Sequence, residues 1–262
     1  MGWLYRLNPL AKVIALAPVL AVVALTTDPF APLAFTALAL VLLASSRVPL
    51  RSALYALAPM LLVLLGFVVL YPFLIRRELV SHTPTLLQVG GVPIYEGAIM
   101  AGLRAGLRII ALVSLALLFN LTTDVSDFMR ALVQQARLPY RIGYSIMVAL
   151  RFAPLLRYEL ELIRSAHRVR GIGQPGLLGD FAQLRRAIVP LLASSIRRAE
   201  RAALAMDGRA FGAFSTRTHF RRVRLTPLDG AFVLAFWALV ALVMLALQAL
   251  GVLGPLSFVQ RV

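Results

Sequence analysis

Residues 53–74 read ALYALAPMLLVLLGFVVLYPFL, from Ala53 to Leu74, with no charged side chain. About 20 apolar residues of helix cross the hydrocarbon core of a bilayer, so this run is long enough to span it. Working outward, four further segments cross or nearly cross: Leu10 to about Thr27, Ala31 to about Ser45 (with a start at Pro29 also allowed), Tyr95 to about Leu121, and Leu225 to about Leu253. The second of these is short, and a re-entrant arm fits it as well. The whole 262-residue chain agrees with a membrane reading. It is 60% apolar and 15% charged, where soluble proteins average roughly 45–50% and about 25%. Its mean hydropathy is +0.85.

Charge distribution sets the expected orientation. Positive side chains collect on the cytoplasmic side of membrane proteins. With the N-terminus inside, Arg6, Lys12, Arg47 and Arg51 fall inside, and Asp28 in the link TTDPFAP falls outside. Residues 122–224 then lie inside, with eighteen arginines and seven acids, a net +11 of the chain's +16. Arg76 and Arg77 are the exceptions, in an outside link where Gly90-Gly91 between TLLQV and VPIYE suits a small hairpin. The first span has a basic start and small residues near Ala15 to Ala17, but it reads as a retained span, because its removal would spoil the charge pattern. The expected architecture is an all-α integral membrane protein. Residues 1–121 carry four spans, 122–224 form a cytoplasmic helical module, and 225–262 hold the last span and tail.

Composition excludes several chemistries. Lys12 is the one lysine and has no glycine-rich loop around it, so there is no P-loop for ATP. No cysteine is present, and His82, His167 and His219 are scattered, so neither a thiol nucleophile nor a metal-ligand cluster is read. No cofactor is expected. The basic balance reads as a cytoplasmic face near anionic membrane lipid and not as a nucleic-acid surface.

Residues 122–224 are too polar to cross lipid and too apolar for a disordered tail. Phe181, Leu184, Ile188, Leu191, Ser195, Ala199, Ala202 and Met206 recur at steps of three and four, one face of a helix. Arg185, Arg186, Arg197, Arg198 and Arg201 fall away from that face. Ile142, Ile146, Ala149, Ala153, Leu156, Leu160, Ile163 and Ala166 define a similar face upstream. Pro154 and Pro190 predict bends. Gly171 and Gly173 suit a helix C-terminus, and Asp180 suits the next N-cap. Each long helix therefore ends in an arginine with small neighbours: Val169-Arg170-Gly171, and Gly208-Arg209-Ala210 within AMDGRAFG.

On these residues the chain resembles the transmembrane T component of energy-coupling factor importers, the EcfT/CbiQ family, over nearly its whole length. That family carries Ala-Arg-Gly motifs at the ends of two coupling helices. Val169-Arg170-Gly171 matches the first with valine for alanine, and Ala166-His167-Arg168 resembles its Ala-Gln-x lead-in. Gly208-Arg209-Ala210 matches the second with the two small residues reversed. Thr122-Thr123-Asp124 and Leu138-Pro139-Tyr140 also fit. The resemblance implies that Arg170 and Arg209 dock into two cytoplasmic ABC-type ATPase subunits. It implies that a membrane-embedded S component binds a vitamin or transition-metal ion, such as cobalt. This chain would then be a non-catalytic coupler in a prokaryotic plasma membrane. If the family's glycine takes a positive φ, Ala210 is expected to resist it, leaving Gly208 or Gly212 to make the turn.

Other residues have plainer readings. Arg104 and Arg108 lie four apart on one face of the fourth span. Ile109 to Leu121 alone is too short to cross, so at least one of the two sits at membrane depth. They are read as snorkelling from a tilted helix or as an intramembrane polar pair with a carboxylate or carbonyl, contact with the S component being the third option. Gly102 and Gly106 form a GxxxG that suits close packing within the chain. Asp124 and Asp127 suit helix starts, and His167 suits a polar helix position. Two other function classes make different demands: a permease with its own substrate path needs polar groups through several spans, and an integral membrane enzyme needs a nucleophile–base or carboxylate–metal set.

Overall fold

Asn8 starts the first membrane helix because its side-chain oxygen accepts the Leu10 N–H at 2.9 Å, and Pro9 takes the first helical position, where no N–H is missed. The computed structural model describes residues 2–46, 50–75, 83–89, 92–171, 177–214 and 218–251. Arg47, Arg76, Arg77, Glu78, His82, Gly90, Gly91 and Gly173 lie outside the described residues, as does any cap made by the Asp180 side chain.

The helices are α1 (Pro9–Leu25), α2 (Phe30–Ser45), α3 (Leu50–Leu74), α4 (Glu96–Thr122), α5 (Val125–Gln134), α6 (Tyr140–Val169), α7 (Leu177–Asp207) and α8 (Pro227–Ala249). One antiparallel hairpin, β1 (Thr85–Val89) with β2 (Val92–Tyr95), joins α3 to α4. The protein is thus all-α apart from that hairpin. Among the described residues α3, α4 and α8 are long and apolar enough to cross a membrane, and α1 and α2 are shorter apolar helices.

The chain divides into two units, Met1–Phe128 with Val223–Val262, and Met129–Arg222. Helix α5 begins in the first and ends in the second.

In the first unit, Val19, Phe35, Leu43, Leu115 and Phe236 of α1, α2, α4 and α8 form the apolar core. Helix α4 packs closely on α3. A methyl at Gly102 would stand 2.6 Å from the Phe67 carbonyl oxygen, and one at Gly106 would stand 2.5 Å from Leu64 Cδ1. The GxxxG therefore serves packing within the chain, as its spacing suggests. The opposite side of α3 is bare: Tyr55 is 80% exposed, Leu62 76% and Leu74 75%. A soluble protein does not carry such a face in water, and a bilayer accepts it without cost.

Among the described residues of this unit two charged groups are buried, Lys12 and Asp229, and both close helix ends. Asp229 completes a capping box with Thr226 at the start of α8, while its Oδ1 accepts the Asn8 N–H at 2.7 Å. Lys12 Nζ donates to the Thr122 carbonyl at 2.6 Å and to Thr123 Oγ1 at 3.2 Å, capping the C-terminus of α4.

In the second unit α6 and α7 run antiparallel. Their mutual face keeps part of the one expected from spacing and departs from it elsewhere. Ala187 is fully buried, and Leu191, Ser194, Ser195, Ala202 and Met206 are half-buried, while Leu184 and Ile188 are exposed. Likewise Ile142 and Ile146 point outward, and Phe152, Leu156 and Ile163 point inward. Arg198 corrects the sequence expectation most directly. It lies inside this face, its Nη2 on Glu159 Oε2 at 3.1 Å and its guanidinium 5.9 Å from the Phe152 ring centre. The cause is chemical: an arginine with a carboxylate and a ring to meet can be half-buried, and periodicity of apolar residues cannot register that.

Candidate functional site

Both candidate arginines sit at the same structural position. Helix α6 ends at Val169, Arg170 is its C-cap, and Gly171 follows in the left-handed conformation with φ +70. The Gly171 N–H returns to the Arg168 carbonyl at 3.0 Å. At the end of α7 the Ala210 N–H bonds the Asp207 carbonyl at 2.9 Å and the Phe211 N–H bonds the Met206 carbonyl at 3.0 Å. That pair of bonds is the Schellman closure, with Arg209 at the C-cap and the left-handed residue next.

The left-handed residue here is Ala210, at φ +53. The expectation that Gly208 or Gly212 would spare Ala210 is therefore overturned. Gly208 is still within the turn of hydrogen bonds, its N–H on the Leu204 carbonyl at 2.9 Å. Gly212 takes a second positive φ of +93 further on. The Schellman bonds leave no freedom in where the left-handed residue falls, so alanine accepts a cost of about 1 kcal/mol at this point.

Val169, Arg170, Gly171, Gly208, Arg209 and Ala210 are all exposed. Neither the Arg170 nor the Arg209 guanidinium has a hydrogen-bond or ion-pair partner among the described residues, and both are exposed. A C-cap arginine also complements the negative end of its helix, which is the plain reading of such a residue. Two features go beyond it. The same arrangement occurs twice, and at each exposed arginine a left-handed residue follows and makes a corner in the chain. Antiparallel pairing places the two corners at opposite ends of the α6–α7 pair. With α7 31 residues long, the separation along the pair is about 45 Å at 1.5 Å per residue.

Arg104 and Arg108 belong to the first unit. Both are on α4, where Arg108 Nη2 donates to the Thr26 carbonyl at the C-terminus of α1 at 2.5 Å. Arg104 Nε and Arg108 Nε are buried without a partner among the described residues. Asp124 caps α5, its Oδ1 accepting the Ser126 N–H at 2.8 Å and the Asp127 N–H at 3.2 Å. No group of three or more potential metal ligands occurs among the described residues.

Sequence reasoning missed the polar ties Asn8–Asp229 and Lys12–Thr122. Thr226-Pro-Leu-Asp229 before an apolar run was a visible capping-box signal. A lone lysine one turn into an apolar helix was a visible oddity, but its partner lies 110 residues away.

Comparison with known proteins gives one consistent result. The family described as "CbiQ: Cobalt transport protein" matches residues 2–220. The "Energy-coupling factor transporter transmembrane protein EcfT" of Bacillus subtilis (strain 168) is 29% identical, covering 91% of this chain and 91% of its own. The protein of the same name from Exiguobacterium sibiricum is 32% identical over 75% of this chain and 76% of its own. That of Streptococcus thermophilus is 28% identical over 91% and 92%.

Proposed function

Because this chain belongs to the CbiQ/EcfT family, we propose that it is the transmembrane energy-coupling component of a bacterial importer of the energy-coupling factor type. In this reading ATP is hydrolysed by two cytoplasmic ABC-type subunits, and this chain catalyses nothing. Arg170 and Arg209 enter grooves on those two subunits and pair with acidic groups there. A guanidinium can form two parallel bonds to a carboxylate, which fixes direction as well as affinity. Helices α6 and α7 then carry the motion toward a membrane-embedded S component that holds a vitamin or transition-metal ion. The N-terminus and residues 122–224 face the cytoplasm in this arrangement.

The observation that supports it best is the repeated corner: an exposed C-cap arginine before a left-handed residue at each end of the helix pair. Small residues at the left-handed position let a partner's backbone approach closely. The test is co-purification of the full chain from its native membrane, with mass spectrometry of the complex and uptake of radioactive cobalt and tritiated vitamins by the cells. Two ATPase subunits and a small hydrophobic protein are expected to accompany it. The double variant Arg170→Ala, Arg209→Ala is expected to lose the ATPases and the uptake. Full assembly and uptake by that variant would overturn the proposal.

A further inference from the structure

The corner at Arg209 differs from the corner at Arg170 in what lies behind it. After Ala210, the Phe211 ring enters between Tyr140 and Tyr144, one turn apart on α6, meeting them edge-on at 5.6 Å and 6.1 Å between ring centres. Tyr140 Oη donates to the Phe214 carbonyl at 2.7 Å. Arg141 Nη2 donates to the Gly212 carbonyl at 2.6 Å. The guanidinium lies so close over Gly212 that a Cβ there would stand 3.3 Å from Nε and 3.4 Å from Nη2. Two main-chain carbonyls and a ring are thus held by three neighbouring residues at the start of α6. Among the described residues, a Cβ at Gly171 would meet nothing within 4 Å.

We infer that Arg141 is a positioning residue for Arg209, clasping the turn behind it so that the second corner and the first turn of α6 move as one piece. This inference rests on the coupling reading above. Displacement passes through a turn only if the turn is stiff, and a segment with a glycine at φ +93 is soft unless held from outside. Arg141 suits the task because its charge-assisted bond to a carbonyl has a fixed direction. Tyr140 and the Phe211 ring close the other two sides. The load on Arg209 then enters both long helices, at the end of α7 and at the start of α6. Charge alone does not explain the contact: Arg141 acts on a backbone carbonyl, and its place is set by Gly212 having no side chain.

The test uses the full chain with its co-purifying ATPase subunits. The chain has no cysteine, so spin labels at Ser145→Cys and Ala213→Cys report the distance across the clasp with no native thiol to remove, each Arg141 and Tyr140 variant being compared with the doubly labelled parent. The distance distribution is expected to be narrow and the same in nucleotide-free and vanadate-trapped complexes. Arg141→Met should broaden it, Arg141→Lys should partly restore it, and Tyr140→Phe, which removes one hydroxyl, should fall between.

In an Arg170→Ala background, where only the second corner holds the partners, Arg141→Met should lower the ATPase recovered per chain about tenfold, the scale of one charge-assisted bond. Arg170→Ala with Arg209→Ala should lose the ATPase altogether. If that control retains it, the coupling reading falls and this inference with it. If the control loses it while Arg170→Ala with Arg141→Met retains it, or the distribution stays narrow in Arg141→Met, the coupling reading survives and the positioning role is overturned.

Discussion

Lys12 of α1 donates to the carbonyl of Thr122, at the C-terminus of α4, at 2.6 Å. The same helix pair is closed at its other end in the opposite sense, by Arg108 of α4 on the Thr26 carbonyl of α1. Each antiparallel helix supplies a cation to the negative end of the other. Neither cation is spare charge in an apolar bundle. Each answers carbonyls that would otherwise end unsatisfied where there is little water.

Removing either clasp should loosen this pair. Lys12→Met and Arg108→Leu are each expected to lower stability by about 1–3 kcal/mol, the scale of a lost hydrogen bond to a charged group. Denaturant titration of the purified chain in detergent micelles measures this. Midpoints equal to the unsubstituted protein for both variants would refute the assignment.

The second corner should improve when its strained residue is relieved. Ala210→Gly is expected to raise stability by about 0.5–1 kcal/mol, because glycine takes φ +53 without a Cβ clash. Gly171→Ala should cost a similar amount at φ +70. Thermal unfolding of both variants decides it, and opposite signs are the required result. A loss of stability in Ala210→Gly would show that the alanine is not strained.

The α3–α4 contact should reject side chains. Gly102→Val and Gly106→Val are expected to cost about 2–3 kcal/mol each, since a Cβ at either site overlaps α3 at 2.6 Å and 2.5 Å. Gly66→Val on α3, where a Cβ meets nothing within 4 Å among the described residues, should be nearly silent. Yield and detergent stability of the three variants give the comparison. Equal tolerance at all three positions would contradict the close approach.

Much of this was legible in the residues. The apolar runs, the pairing of TLLQV with VPIY, the Asp124 cap and the two arginine-bearing helix ends are local features. Each depends on residues within a few positions of one another, so composition and spacing report them. Arg198 and Ala210 show where that stops. Arg198 is half-buried because Glu159 and Phe152, 39 and 46 positions away, supply a carboxylate and a ring. Ala210 turns left-handed because the closing bonds of α7 set the place of the turn, whichever small residue occupies it.

By itself the sequence determined that the chain enters a membrane, that two amphipathic helices follow the fourth apolar run, and that each ends on an exposed arginine. Apolar length, period and helix-end chemistry act over one or two turns and need no partner. Only the tertiary structure decided which faces of α6 and α7 meet, that the two arginines stand at opposite ends of that pair, and that Arg141 holds the turn behind one of them. Those outcomes depend on contacts between residues tens of positions apart. There a charge or a strained angle is tolerated only if a distant group meets it, and no local pattern records whether one does.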